Sequence, residues 1–464
     1  MVDPKNLEQL RLLGKLEQVS AVCHHLGFYQ NVGLSAHYTL SGSSSVTISR
    51  HLIFAALSKV IRKHSILSAI PIDEDTLAPY FARLPLIDLE QFVFIIDRSK
   101  PFTALDGTED RELDEILQTQ HNTNFKFEYG SLPFWRLLIL QHTELKNEFT
   151  ASFIFHHGIG DGVSGLVFHR AFRNALEEAS PLIPEGEKVV LSSTDPLVPP
   201  LEELHPMPIN TNATPPPTPA LKEWTGKPIH APCVSHYRTL YISPTATTAF
   251  IQECKKQKVS VTSALGSSIA TILFDILPPS FEALTCIIPV SLRPWLRLPR
   301  NVADDAIGTY IDAFKAQFTR PADGTADIWP GARAASKVIS NYLTSNLSPS
   351  GEPYTAVAIF KTIPDVSIIF NSTLGKDRDA AFEVSNLGSF LSGSAEEGTD
   401  SLWKVGRVTF SRSSVVSGSA VTMSVVSGGD GGLSIGFSWQ EGVVEDVLVD
   451  KLFDGMRTSV LAFQ

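Results

Sequence analysis

Between residues 195 and 232 the chain loses all hydrophobic periodicity and fills with proline, including the run Pro215-Pro216-Pro217. Proline fixes its own φ and has no N–H to give a ladder, so such a stretch builds neither a central strand nor a helix interior. It divides a chain of 464 residues, which is longer than one hydrophobic core usually grows. Strand-like and helix-like patterns alternate on both sides, and no internal sequence repeat relates them. The expectation is an α/β protein with an N-terminal unit over 1–194, an extended Pro-rich crossover linker over 195–232 and a C-terminal unit over 233–464.

In the first unit, Leu7, Leu10, Leu13, Leu16 and Val19 recur at helical spacing and predict an amphipathic helix over 5–20, packed on the body or touching a membrane surface. A strand is predicted over 28–40, a helix over 49–64, and strands over 66–70 and 92–96. Phe134–Leu140 and 149–156 read as a hairpin pair joined by a short polar link. In the second unit the pattern gives a strand over 236–242, a helix over 261–275, a strand over 286–290 and a helix over 332–343. The chain closes with an antiparallel set, 404–411, 419–426 and 433–439, in which Gly428–Gly432 supplies a tight turn.

Chemistry concentrates at His156-His157-Gly158-Ile159-Gly160-Asp161-Gly162. The alternating run 149–155 delivers two histidines into a turn of small residues. Beyond it Phe168, Ala171, Phe172, Ala175 and Leu176 mark a helix, with Asp161 where a carboxylate caps free amides. A strand that hands a histidine to a glycine-rich turn leaves room for a ligand against the imidazole. The competing reading is a pair of satisfied histidines at a strand end. The earlier pair His24-His25 has Tyr29 where an aspartate would be needed, and reads as packing or a helix end.

Bulk properties narrow the function classes. Net charge is −11 and no long Lys/Arg block occurs, which argues against nucleic acid, although a phosphate-bearing cofactor needs only local basic groups. Cys23, Cys233, Cys254 and Cys286 are scattered without a CxxC pair, so neither a zinc knuckle nor a disulfide framework is expected and a reducing, cytoplasmic setting fits. HExxH is absent, and no further ligands for a metal at HxxxD are identifiable. Residues 1–30 hold no signal peptide pattern, and no run of 18 apolar residues forms a transmembrane segment.

These pieces resemble the CoA-dependent acyltransferase superfamily, which includes chloramphenicol acetyltransferase, plant BAHD acyltransferases and peptide-synthetase condensation domains. HHxxxDG carries the resemblance. Leu12-Leu13-Gly14-Lys15-Leu16-Glu17 followed by His24-His25-Leu26-Gly27-Phe28-Tyr29 is similar to the fungal alcohol O-acetyltransferase branch. Ala56-Leu57 to His64-Ser65-Ile66-Leu67, Pro289-Val290-Ser291-Leu292-Arg293-Pro294 and Ser385-Asn386-Leu387-Gly388 fall in family order. The DFGWG motif of the plant enzymes is missing, with only a loose echo at Ser434–Trp439, so no plant-type cofactor contact is carried over.

The resemblance implies two chloramphenicol-acetyltransferase-like subdomains, each a mixed sheet with helices, around a central tunnel. It implies a monomer that uses acetyl-CoA as co-substrate, no metal, and a small-molecule hydroxyl acceptor such as an alcohol or a hydroxylated secondary metabolite. His157 would be the general base. Asp161 would hold the turn with Gly162, pointing away from the imidazole toward a basic residue of the second subdomain, for which Arg293 is the candidate. Ser385, Asn386 or His156 would donate to the oxyanion or line the tunnel; a plain turn at 385–388 and a structural His156 are the alternatives. A condensation-like or cyclisation catalyst on the same fold, using a carrier-bound or non-acyl substrate, is the second function. A catalytically silent binding module is the third.

Overall fold

Glu148–Phe155 (β8) is buried along its whole length, with Phe149, Ala151, Phe153 and Phe155 on one face and Glu148, Thr150, Ser152 and Ile154 on the other. In the computed structural model, which describes residues 3–41, 46–105, 107–180, 187–210, 221–322, 324–391 and 401–463, it is the middle strand of a five-stranded sheet. The order is β14 (Trp403–Arg412), β2 (Val32–Leu40), β8, β7 (Trp135–Gln141) and β6 (Val93–Asp97). β7 and β8 form the expected antiparallel hairpin, with Trp135 opposite Phe155. The second sheet has six strands in the order β10 (Ser235–Ile242), β16 (Leu433–Gln440), β15 (Val421–Ser427), β13 (Phe382–Ser389), β11 (Ala283–Ser291) and β12 (Ile311–Thr319). Two small sheets complete the first half: β1 (Glu8–Leu12), β4 (Tyr80–Arg83) and β3 (Ala69–Ile72), then β5 (Leu86–Asp88) with β9 (Val189–Leu191).

Each large sheet has its own apolar core. In the first half, α1 (Lys15–His25), α2 (Arg50–Lys63), α3 (Arg111–His121) and α4 (Gly162–Ala179) surround the sheet. Phe168 and Phe172, one turn apart on α4, turn the same face inward; Phe168 stacks on Phe153 of β8 at 3.8 Å between ring centroids. Burying one such ring contributes about 1.5–3 kcal/mol, and this stack sets α4 squarely behind β8.

The halves are also joined edge to helix. β10 is an edge strand, and its free N–H groups at Ser235, Tyr237 and Thr239 donate to Asn122, Gln118 and Asp114 at 2.8, 3.0 and 3.0 Å. The match is geometric. Four helical residues rise about 6 Å and two strand residues about 6.6 Å, so side chains four apart on α3 meet every second amide of β10. Among the described residues no single helix is long and apolar enough to cross a membrane.

Three sequence expectations are corrected. Residues 5–20 are not one helix: a 3-10 turn over Pro4–Asn6 leads to β1, and α1 starts only at Lys15. Gly14 takes an extended conformation there and its N–H donates to Glu17 at 2.7 Å, while residues 8–12 pair with β4. Residues 65–68 form a 3-10 turn, so the strand predicted over 66–70 begins at Ala69. The closing strands are not one antiparallel set: β15 and β16 pair around Gly428–Gly432, but β14 leaves them and pairs with β2 of the first half. Part of the Pro-rich stretch is also anchored. Leu201, Leu204 and Met207 are buried against Leu292, Leu296 and Tyr310, while its residues 211–220 lie outside the described residues.

Candidate active site

β8 ends by presenting His156 and His157 to the turn that starts α4. The ladder runs one residue past the strand, His156 N–H donating to Phe134 O at 2.9 Å, and Ile159 N–H then returns to His156 O at 3.1 Å. Asp161 caps α4. Its Oδ1 accepts from Ser164 N at 3.0 Å and Ser164 Oγ at 3.1 Å.

The other carboxylate oxygen faces the second half. Oδ2 accepts from Arg293 Nη1 at 2.7 Å and from Tyr310 N at 3.0 Å. Arg293 is 3% exposed and Asp161 is fully buried, so this ion pair is closed to solvent. Arg293 Nη2 also donates to Ala306 O at 3.0 Å and Gly308 O at 3.3 Å. Although burial alone would raise it, the Asp161 carboxyl lies below its ordinary value, chiefly because of the Arg293 charge. The aspartate therefore grips the second half of the molecule, and none of its hydrogen bonds goes to the His157 ring. Thr309 Oγ1 adds a further hold, donating to His157 O at 2.8 Å.

His157 looks into a cavity of about 310 Å³ whose walls come from both halves, including Tyr29, Gly162, Ser291, Ser385 and Arg412. Its imidazole is held below the ordinary histidine value. Burial is the main cause and the Arg412 charge adds to it, while the turn's own carbonyls and Asp161 oppose. The ring is thus neutral near pH 7, the state a proton acceptor needs. Nδ1 has no hydrogen-bond partner of good geometry. Gly162 sits in close approach: a Cβ there would stand 2.7 Å from Leu387 Cδ2 and 3.0 Å from Phe410 Cζ, so the tip of Leu387 would have to move.

The remaining expected residues divide. Ser385 and Asn386 line the cavity. The Asn386 amide is committed, Nδ2 donating to Thr262 Oγ1 at 3.1 Å and Oδ1 accepting from Gly388 N at 2.9 Å. Residues 385–388 are not a plain turn: they lie within β13, whose register shifts between Asn386 and Ser389 where Gly388 takes φ +77°. His156 does not line the cavity. It is 1% exposed and points behind the turn, toward Glu74 and His24.

Several cavity residues escaped the sequence reading, three of them close to His157 or to one another. Arg412 of β14 pairs with Glu383 of β13, and Tyr29 packs on His157 at 5.5 Å between ring centroids. The Tyr29 hydroxyl is buried without a partner, and burial pushes its phenol up. A signal for Arg412 existed: it follows Val408 and Phe410 at period two, a charge on an apolar strand face.

Behind the turn, His24, Glu74 and His156 bring ligand-type atoms within 4.8 Å of one another. A metal there is disfavoured by tautomer. The ring nitrogens facing away from Glu74 already accept backbone N–H bonds, His24 Nε2 from Phe125 N at 3.1 Å and His156 Nδ1 from Gly158 N at 2.9 Å. Ligation through the opposite nitrogens would need both rings as imidazolates or both backbone bonds broken.

The chain matches the model of the family described as alcohol acetyltransferase over residues 12–212 and 218–454. It is 56% identical to crmB, a probable alcohol acetyltransferase of Aspergillus fumigatus, over 96% of this chain and 97% of that protein. Among solved structures it is similar to TRI3 trichothecene 15-O-acetyltransferase from Fusarium sporotrichioides, with a TM-score of 0.71 at 12% identity over 100% of this chain and 99% of that one. The first condensation domain of the CDA synthetase matches with a TM-score of 0.59 at 10% identity, over 98% and 96% of the two chains. At these identities the structural likenesses establish the fold, two related subdomains facing one another.

Proposed function

This chain belongs to the alcohol acetyltransferase family, and on that premise we propose that it moves an acetyl group from acetyl-CoA to the hydroxyl of a small-molecule acceptor, with His157 as general base. The observation that carries the reading is the His157 imidazole on the wall of a cavity shared by both halves, held below its ordinary value by burial, with the nearby aspartate hydrogen-bonded elsewhere. His157 takes the hydroxyl proton as the acceptor oxygen bonds to the thioester carbon. The tetrahedral adduct then breaks its C–S bond, and the imidazolium returns the proton to the leaving thiolate. No group on the enzyme is acylated. In keeping with this, the four cysteines lie off the cavity wall, and burial pushes Cys233 up to about 11 and Cys254 up to about 12.

Direct attack needs both substrates within ~3–3.5 Å in one water-poor space. A second cavity of about 750 Å³ abuts the first across Val163 and Leu387; Arg170 and Arg300 line it together with Asp304 and Asp305, and Arg300 is paired to Asp304 at 2.7 Å. The test is thiol release from acetyl-CoA with a panel of alcohols. His157→Ala is expected to lower turnover by ~10²-fold or more with CoA affinity retained. Double-reciprocal plots for the wild type should intersect. Parallel lines with an isolable acetyl-enzyme would overturn direct transfer, and His157→Ala within tenfold of wild type would overturn the base. Wild-type protein that releases no thiol from acetyl-CoA with any acceptor would turn attention to a carrier-bound donor.

A further inference from the structure

The cluster behind the turn gathers three parts of the first half: His24 at the end of α1, Glu74 in the loop after β3 and His156 at the end of β8. All three are buried, at 1%, 6% and 1% exposure. Asp73 takes φ +56°, a left-handed conformation that aspartate tolerates, and the bend turns Glu74 inward while Asp75 faces solvent. Phe134 packs on both imidazoles, at 5.6 Å from His24 and 5.4 Å from His156. A carboxylate in such surroundings is costly unless it is well paired.

The pairing fixes where each hydrogen lies. His24 Nε2 accepts from Phe125 N, so His24 Nδ1 carries the hydrogen, and it donates to Glu74 Oε2 at 2.9 Å. His156 Nδ1 accepts from Gly158 N, so His156 Nε2 carries the hydrogen. It stands 3.4 Å from Glu74 Oε1, a charge–dipole contact looser than a closed hydrogen bond. Although burial alone would raise it, the two imidazoles bring the Glu74 carboxyl down to about 2. One carboxylate thus holds two neutral rings in opposite tautomers.

We propose that Glu74 is a positioning residue for His157, acting through the tautomer it selects on His156. The route is short. Only the Nε2–H form of neutral His156 can accept the Gly158 N–H, and that bond closes the turn on the residue following His157. On the preceding side, His156 N–H is tied to Phe134 O at 2.9 Å. The backbone of His157 is thereby pinned at both neighbours by one side chain and one strand bond, and its ring is aimed away from the cluster into the cavity. The proposal rests on the reading of His157 as the base.

Glu74→Gln tests it while preserving shape. One amide oxygen can accept from only one of the two rings, and the NH2 faces the other ring's N–H. The ring left without an acceptor switches tautomer and confronts the backbone N–H of Phe125 or Gly158. We expect kcat to fall about tenfold or more with both KM values within twofold, because small displacements of a reacting group are costly in rate. Glu74→Asp, which keeps two acceptor oxygens, should recover part of the loss. In the wild type, ring nitrogen chemical shifts should show His156 protonated at Nε2 and His24 at Nδ1, a signature readable even if the Gln variant does not fold. Unchanged kcat in Glu74→Gln, the reverse tautomers in the wild type, or one tightly held metal ion per chain would each overturn the proposal. A His157→Ala variant that remains active would instead sink the base assignment, so the two failures are distinguishable.

Discussion

Replacing Asp161 with asparagine changes one carboxylate oxygen into a donor, and the structure leaves no place for it. Oδ2 faces Arg293 Nη1 at 2.7 Å and Tyr310 N at 3.0 Å; Oδ1 faces Ser164 N and Oγ at 3.0 and 3.1 Å. Whichever way the amide turns, an N–H meets an N–H or O–H, and the Arg293 cation, 3% exposed, loses its counter-ion. Removing one partner of a buried pair typically costs about 3–5 kcal/mol. For a chain of 464 residues the unfolding entropy is on the order of 1 kcal/mol/K, so Tm should fall by about 3–5 °C in a thermal melt. The Asp161 carboxyl is depressed in the folded state, so its contribution is present above the unfolded value of about 3.9 and is lost as pH falls through the lower folded value. The gap between wild type and Asp161→Asn should therefore hold from pH 5 to 8 and close in strong acid. In a double-mutant cycle with Arg293→Met, the paired change should cost less than the sum of the single ones. An Asp161→Asn variant that keeps its Tm within about 1 °C yet loses activity would refute the reasoning, because the carboxylate would then be acting on the imidazole.

Arg412→Met removes a cation that helps hold His157 low and leaves Glu383 unpaired beside the cavity. The acid limb of kcat/KM should move to higher pH and return toward its original place when Glu383→Gln is added; an unmoved limb would remove Arg412 from the electrostatics of the base. Burial raises the Asp114 carboxyl to about 7 despite the Thr239 hydrogen bond, above the unfolded value, so the stability it contributes is full below about pH 4 and lost as pH rises to 7. Asp114→Asn keeps an acceptor for Thr239 N–H, so it should melt above wild type at pH 8 by an amount on the order of 4 kcal/mol and converge with it near pH 4; a difference independent of pH would refute this.

What the sequence made legible was local. The run 149–155, the small-residue turn and the Phe168–Leu176 stripe carry their own periodicities, and β8 and α4 appear where those patterns put them. Partner choice left no such trace. The alternation over 404–411 announces a strand but not that Trp403 will lie opposite Leu40, because pairing is set by the whole arrangement of sheets. Leu7, Leu10 and Leu13 fit a helix by spacing alone, yet five residues are too few to separate the two periods once Tyr80–Arg83 offers a ladder. The site follows the same division. His157 and Asp161 share one turn and could be read together, whereas Arg293, Glu383, Arg412 and Glu74 reach it from four separate segments. Arg293 was legible only through the family resemblance, and of the other three only Arg412, a charge in an apolar row, left a local signal.

The arrangement also orients the imidazole differently from a catalytic triad. In a triad one carboxylate both orients the imidazole and strengthens it as a base. Here orientation comes through the backbone: Thr309 holds the carbonyl of His157 from the second half, Asp161 locks the start of α4 to Arg293, and Gly158 is bonded to His156. Base strength is set mainly by burial, with the Asp161 charge raising it and the Arg412 charge lowering it. Asp161 thus enters both controls, whereas Arg412 enters only the second. Changes at Asp161 should move stability and turnover together and shift the acid limb to lower pH, whereas changes at Arg412 should shift it to higher pH while leaving the Asp161–Arg293 lock intact.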